Sequence, residues 1–166
     1  MPCRGRVKCV LVQFDTLWRS HGDAGVVLGF DHAPFDDYQR GWHTKRPLSY
    51  PLWMYPYTAL SNVETLLVGD FATVFDPSVA FNVQVPVVQA GTAHGVAVWV
   101  DYDLDPEGGV VLSQGPDFSS TAHSYAKQAV HFLLPAIAVA PGSHALDISA
   151  CFTPELVLST TIIALP

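Results

Sequence analysis

His94-Gly95-Val96-Ala97-Val98-Trp99-Val100-Asp101 is the stretch that decides the fold class of this 166-residue chain. It reads as one extended segment and is followed by Asp105-Pro106-Glu107-Gly108-Gly109, a strong hairpin signal. Two more extended segments come after the hairpin, Leu112-Ser113-Gln114-Gly115-Pro116 and Lys127-Gln128-Ala129-Val130-His131-Phe132-Leu133. The centre of the chain therefore predicts successive strands separated by turns.

Segments with strand character continue on both sides of this centre, with turn signals about every 8–12 residues. Strands are predicted at residues 5–14, 24–30, 64–71, 80–89, 95–104, 110–113, 127–134, 144–153 and 156–165. Asp15 is expected to cap a short helix over Thr16–Ser20. Eight to ten short antiparallel strands with one or two short helices indicate an all-β barrel or sandwich.

Residues 1–166 are interpreted as a single domain, because no linker, internal repeat or low-complexity tract divides them. Residues 31–60 form an aromatic and Pro-rich excursion. Pro47, Pro51 and Pro56 remove backbone donors there, so an irregular segment is expected.

The composition is 49% hydrophobic and 14% charged, which is apolar for a soluble domain. Part of the surface is therefore expected to face another domain or subunit. The net charge of −7 argues against a nucleic-acid-binding module and is compatible with a basic, Arg-rich partner.

The three cysteines, at positions 3, 9 and 151, show no paired spacing, which favours a reducing cytoplasmic or nuclear compartment. The longest apolar run, residues 129–140, is too short for a membrane helix and the start has no apolar signal region, so a soluble protein is expected.

Trp42, Trp53 and Tyr55, in the excursion, form the best candidate surface. Aromatic side chains on a Pro-stiffened segment can stack on a sugar, bind a peptide, cover the barrel wall or dock on a partner domain.

Other chemistry is not indicated. Asp101, Asp103 and Asp105 alternate along a strand and are expected to form a solvated face, since the rest of a calcium loop is missing. The seven histidines lack metal-ligand spacing, and no nucleophile elbow or phosphate-binding glycine motif is present.

The order of these motifs resembles the C-terminal β-barrel of the protein arginine N-methyltransferases. That barrel shows His-Gly, then Trp or Phe and Asp, then Ser-Thr-Gly-Pro, then a Lys-Gln pair that opens an apolar strand. Phe14-Asp15-Thr16-Leu17-Trp18, Gly29-Phe30-Asp31 and Tyr50-Pro51-Leu52-Trp53-Met54-Tyr55-Pro56 are similar to the duplicated, monomethylating class of the family. The resemblance covers nearly the whole chain.

The resemblance implies a division of labour. In the family, a Rossmann-like domain binds S-adenosylmethionine and supplies two catalytic glutamates. The barrel packs beside that domain and forms one wall of the arginine channel. In single-module enzymes the barrel also carries a dimerisation arm. The three glutamates here, Glu64, Glu107 and Glu155, form no such pair. The chain alone is therefore expected to be inactive and to hold no cofactor. Its parent enzyme would use S-adenosylmethionine, an Arg-rich protein substrate, and a methyltransferase domain in cis or a second module.

One departure from the family pattern concerns the cleft. Many active members carry Thr-His-Trp before the Lys-Gln pair, whereas this chain has Ser124, Tyr125 and Ala126. No catalytic role is therefore carried over, and Ser124 and Tyr125 are expected only to face the cleft. The alternative hypothesis is a free-standing carbohydrate- or peptide-binding β-sandwich that uses Trp42, Trp53 and Tyr55. A β-barrel hydrolase is a weaker rival, because no nucleophile constellation is visible.

Overall fold

The computed structural model describes residues 1–43, 46–73, 81–117, 126–152 and 156–165, except for the side chains of residues 42, 43, 152 and 156–158. The elements in chain order are β1 (Arg4–Gln13), α1 (Asp15–Arg19), β2 (Val26–Val27), β3 (Phe30–Asp31), α2 (Ala33–His43), β4 (Leu48–Tyr50), a 3-10 turn (Leu52–Met54), β5 (Thr58–Ala59), β6 (Glu64–Asp70), β7 (Phe81–Pro86), β8 (Gly91–Asp103), β9 (Val111–Ser113), β10 (Gln128–Val139), β11 (His144–Phe152) and β12 (Leu156–Ala164).

Two sheets account for most of these strands. The larger has the order β4-β10-β8-β1-β5, with β6 also beside β1 and β9 beside β8, and the smaller has the order β12-β11-β7. All strand pairs in the described ranges are antiparallel. A bridge between Ser61 and Val87 connects the two sheets on one side.

The pairing of β1 with β8 forms the centre of the larger sheet, running from Arg4 opposite Asp103 to Val12 opposite Gly95. Alternate residues of both strands enter two different core clusters. One cluster lies between the sheets and includes Leu11 and Val96. Burial on both faces explains why the stretch that includes Val96–Trp99 is continuously apolar rather than alternating.

The second core cluster lies on the other face of the larger sheet, where α1 and the 3-10 turn cover it. Its members from the sheet and the cover are Val10, Val12, Phe14, Leu17, Leu52, Ala97, Trp99, Val130 and Phe132. The Val, Leu and Phe side chains of this cluster each contribute about 1.5–3 kcal/mol when fully buried. The helix and the turn are therefore fixed to the barrel mainly by apolar contact.

The predicted all-β class is confirmed. The described ranges contain twelve strands rather than eight to ten, because five of them have only two or three residues. The hairpin between β8 and β9 forms as expected: Gly108 has a φ of 73°, and Asp105 Oδ1 accepts a hydrogen bond from the Gly109 amide at 2.8 Å. None of the helices in the described ranges has the length and apolar character needed to cross a bilayer.

Residues 31–60 were expected to be irregular, but this is wrong for the first part of the segment, where Ala33–His43 form the 11-residue helix α2. The three prolines cited against a helix all follow α2 in sequence. Pro34 is the second residue of the helix, where its missing amide proton costs nothing. Asp31 Oδ1 accepts a hydrogen bond from the Ala33 amide at 2.9 Å at the start of the helix.

Two smaller expectations also need correction. The strand predicted at residues 24–30 is a hairpin of β2 and β3, whose turn residues Leu28 and Gly29 have φ angles of 52° and 84°. Positive φ at both turn residues matches the right-handed twist of a two-residue hairpin. Helix α1 begins at Asp15 itself, with Phe14 at the N-cap, and no side chain caps it.

Candidate functional site

His94 and Gly95, the His-Gly pair of the deciding stretch, lie in β8 beside the end of β1, where Gly95 is opposite Val12. His94 Nδ1 accepts a hydrogen bond from the Phe14 amide at 3.1 Å, and its ring stacks on Trp18 with centroids 4.8 Å apart and planes 8° apart. A Cβ at Gly95 would lie 2.7 Å from the His131 carbonyl oxygen and 3.1 Å from the Phe14 ring. Both residues of the pair are therefore required by close packing around α1.

His94 is neutral in this environment. It is 5% exposed, and burial lowers the pKa of its imidazole below the ordinary value of 6.5, although the Asp15 carboxylate lies 3.9 Å from Nδ1 and opposes the shift. Because Nδ1 accepts a hydrogen bond, we assign the proton to Nε2. The ring acts as a packing and hydrogen-bonding element.

The expected solvated face of Asp101, Asp103 and Asp105 is wrong for the first two residues. Asp103 is 4% exposed and forms an ion pair with Arg6 on β1. Asp101 is half-buried and accepts hydrogen bonds from Trp99 Nε1 at 3.0 Å and Ser113 Oγ at 2.6 Å. Trp99 precedes Asp101 on the same strand, whereas the pairing of β8 with β1 and β9 brings Arg6 and Ser113 to these carboxylates. The spacing along one strand does not reveal those two partners.

Gln128, the second residue of the Lys-Gln pair, is completely buried at the start of β10. Its Oε1 accepts a hydrogen bond from the Leu52 amide at 2.9 Å, and its Nε2 donates to the Gln114 carbonyl at 2.6 Å and the Ala126 carbonyl at 2.8 Å. One side chain thus satisfies backbone groups of three separate segments.

A second feature is the arm, which we define as residues 24–43 and which contains β2, β3 and α2. It presents large apolar side chains to solvent: Val26 (71% exposed), Leu28 (94%), Phe30 (72%), Phe35 (52%) and Tyr38 (66%). Such a concentration of uncovered apolar surface is a signature of an interaction site.

The arm holds one conformation through polar contacts. The buried Asp36 carboxylate accepts hydrogen bonds from the amides of Ala24 and Gly25, both at 2.9 Å, and these bonds hold the pKa of Asp36 below its ordinary value. Arg40 forms ion pairs with Asp23 and, at 3.3 Å, with Asp37. The apolar surface is thus presented on a preformed support.

The structure locates only some of the predicted site residues. Tyr55 is half-buried against the second core cluster, with its ring 6.4 Å from that of Tyr50, and Trp53 is half-buried in the 3-10 turn. Trp42 belongs to α2, but its side chain lies outside the described part of the chain. Ser124 and Tyr125 also lie outside the described residues.

Sequence reasoning did not single out the apolar residues of the arm. The available signal was a short Val-Val-Leu-Gly-Phe run between Gly25 and Asp31, followed by a segment in which Phe35 and Tyr38 have the i, i+3 spacing of one helix face. This pattern is also that of a buried element, so it does not by itself indicate an exposed surface.

Within the described ranges, strands run into helices at Phe14 and at His32. Neither junction contains a glycine-rich turn like the one that binds the phosphates of a dinucleotide. Within the described ranges, no group of three or more His, Cys, Asp or Glu side chains is placed to hold a metal ion.

Comparison with known proteins identifies the kind of domain. The family model described as "Arginine methyltransferase oligomerization subdomain" matches residues 41–154. A chain of the Trypanosoma brucei PRMT1 enzyme-prozyme heterotetrameric complex with AdoHcy superposes with a TM-score of 0.73 at 15% identity, over 100% of this chain and 53% of that one. At this identity the structural match shows the fold alone.

The chain belongs to the protein arginine methyltransferase family and corresponds to its C-terminal oligomerization subdomain. It is 33% identical over 162 residues to protein arginine N-methyltransferase 7 of Oryza sativa subsp. indica, covering 93% of this chain and 22% of that protein. The Gallus gallus relative of the same name is 28% identical over 141 residues, covering 80% and 20%. The chain thus spans about a fifth of the length of these relatives, and the resemblance drawn from its motifs is confirmed.

Replacing Gln128 by Leu should destabilise the fold, because the Leu52 amide and the Gln114 and Ala126 carbonyls would lose a buried partner. We expect a loss of about 3 kcal/mol in the free energy of unfolding, measured by urea denaturation. The matched control is Gln84→Leu on β7, where the side chain is exposed and a change within about 0.5 kcal/mol is expected. Equal effects of the two substitutions would contradict the role assigned to Gln128.

Stability should fall between pH 7.5 and pH 5.5. The lowered pKa of His94 means that the unfolded chain takes up a proton near its ordinary value of 6.5 while the folded chain does not. The contribution of His94 is therefore complete above pH 6.5 and is lost as the pH decreases below it. Urea denaturation at both pH values should show a smaller decrease for His94→Gln than for the unsubstituted chain. An equal decrease in His94→Gln and in the unsubstituted chain would contradict this assignment.

Proposed function

We propose that this chain is the barrel portion of an S-adenosylmethionine-dependent protein arginine N-methyltransferase and that its arm docks on a methyltransferase domain. The partner would be a Rossmann-like domain in cis or a second module of a duplicated enzyme. Family membership supports this role, as does the size of the relatives, of which the chain spans only about a fifth. Residues 1–166 would act as a single structural unit in that enzyme.

The observation that carries the proposal is the exposed apolar surface of the arm. Leu28 at the hairpin tip is 94% exposed, although its side chain would contribute about 1.5–3 kcal/mol if a partner buried it. The Asp36 contacts order the arm in advance, so binding would require little further loss of conformational freedom. The arm is thus suited to stable docking.

The barrel would contribute one wall of the substrate groove rather than reacting groups. A net charge of −7 favours the approach of an Arg-rich protein substrate, and it fits the proposal that the enzyme acts on such proteins. Cys3 and Cys9 carry free thiols, which is compatible with the cytoplasm or the nucleus as the site of action.

The alternative, a free-standing carbohydrate- or peptide-binding module, receives less support. It depends on aromatic rings that are open to a ligand, and Tyr55 is half-buried against the core. The arm, in contrast, exposes several large aliphatic and aromatic side chains, among them Leu28 (94%), Phe30 (72%) and Val26 (71%), which suits docking on a protein surface.

Replacing Leu28 by Glu should weaken association through the arm without affecting the fold. The isolated chain is expected to self-associate at high concentration because the arm is uncovered, and the charged substitution should lower the association constant at least about tenfold. Sedimentation equilibrium measures this constant, and circular dichroism checks the fold. Val110→Glu, in the β8–β9 turn, places the same charge on a residue that is 50% exposed and should leave association unchanged. A chain that stays monomeric at all concentrations would contradict the docking role.

The isolated chain should neither bind S-adenosylmethionine nor methylate an Arg-rich peptide, because the described residues provide neither a cofactor turn nor a pair of glutamates. Isothermal titration calorimetry of the chain with S-adenosylmethionine should show no heat of binding, and mass spectrometry should show an unmodified peptide after incubation with both. Stoichiometric micromolar binding by the chain, or methylation of the peptide, would contradict the proposed assignment of the cofactor to another domain.

A further inference from the structure

A recess separates β10 from β12 where the edges of the two sheets meet. In the described parts of these strands no ladder of hydrogen bonds joins them, since β10 pairs with β8 and β4 and β12 pairs with β11. The recess has a volume of about 410 Å³. Its walls include His131, Leu133, Pro135, Ile137, Thr160 and Ile162.

Two buried side-chain atoms in this recess have no hydrogen-bond partner. His131 lies opposite Val96 in the β10–β8 register, and Thr160 lies opposite Ile148 in the β12–β11 register, so both side chains face the interior between the sheets. His131 is only 7% exposed. His131 Nδ1 and Thr160 Oγ1 are both buried without a hydrogen-bond partner.

Two such atoms in the same recess are unusual. Buried polar groups in folded proteins nearly always have a partner, since losing hydration without replacing it is unfavourable. His131 belongs to the larger sheet and Thr160 to the smaller one. Both residues line the same recess, which is large enough for a small molecule. A single ligand between the strands could therefore complete the hydrogen bonding of both.

The walls determine the class of ligand. Among the described residues, none that lines the recess carries a formal charge at neutral pH, because burial lowers the pKa of His131 and keeps its imidazole neutral. A charged ligand would thus be buried without a counter-charge, which is strongly unfavourable. Leu133, Ile137 and Ile162 provide aliphatic contact surface.

We propose that the recess between β10 and β12 binds an uncharged molecule that carries an amide or hydroxyl group on a small aliphatic body. The polar group exchanges hydrogen bonds with His131 Nδ1 and Thr160 Oγ1, and the aliphatic part contacts the leucine and isoleucine walls. This site is separate from the arm and contributes nothing to the proposed docking, so either assignment can fail while the other holds.

The test is a titration of the 166-residue chain with isobutyramide, monitored by the imidazole resonances of His131 in NMR spectra. We expect saturable shifts with a dissociation constant of about 1–10 mM, a range reasonable for a ligand of this size. Isobutyrate and isobutylammonium, which have similar shapes but carry a charge, should produce no saturable shift at His131. Equal binding of the charged probes, or no response to isobutyramide, would overturn the proposal.

Thr160→Val provides the second measurement because it removes the hydroxyl and nearly preserves the shape. We expect isobutyramide to bind at least tenfold more weakly, while the melting temperature of the free chain rises by about 2 °C or more as an unpaired buried group is lost. Thr58→Val, at an exposed position of β5, is the matched control and should change neither quantity. Unchanged affinity of Thr160→Val for isobutyramide would overturn the proposal. A crystal structure grown with isobutyramide that shows only an ordered water between His131 and Thr160 would also overturn it.

Discussion

The buried carboxamide of Gln128 is the interaction on which the arrangement of this domain depends most. A carboxamide offers an acceptor and two donor protons in fixed directions, and the segments containing Leu52, Gln114 and Ala126 use all of them. These backbone groups belong to turns and irregular stretches that no strand ladder satisfies. A single side chain of β10 is therefore hydrogen-bonded to the 3-10 turn, to the segment after β9 and to the segment before β10.

Apolar residues have two opposite roles in this chain. In β1 and β8 they are buried on both faces of the sheet, and they stabilise the barrel. In the arm they remain outside, on a support that Asp36 and Arg40 order through hydrogen bonds and ion pairs. The low charge content of the sequence reflects both roles, and composition alone does not distinguish them.

Much of the fold could be predicted from the sequence, because its long strands are apolar runs bounded by turn residues. β1, β11 and β12 lie within one or two residues of their predicted bounds, and β8 and β10 extend four or five residues beyond theirs. Helix α2 could not be predicted from an inward-facing apolar stripe, since Phe35 and Tyr38 are exposed.

The contacts that define the candidate sites depend on pairing between distant segments, which local patterns do not contain. The ion pair between Arg6 and Asp103 follows from the register of β1 against β8, and the juxtaposition of His131 with Thr160 follows from how two sheets meet. The order of the motifs, in contrast, indicated the family correctly, because it reflects the whole set of strands rather than a single contact.

The register of β1 against β8 also affects how the chain must be made. Arg4 pairs with Asp103, so roughly a hundred residues separate the synthesis of the two strands. At ribosomal rates of roughly 5–20 residues per second, roughly 5–20 s pass between the synthesis of β1 and that of β8. During this time one edge of β1 has no partner strand. β6 emerges earlier and can pair with the other edge only between Arg4 and Cys9. A nascent chain with this topology therefore carries an unprotected apolar strand through most of its translation, and chaperones that bind such strands would be expected to contact it first at β1.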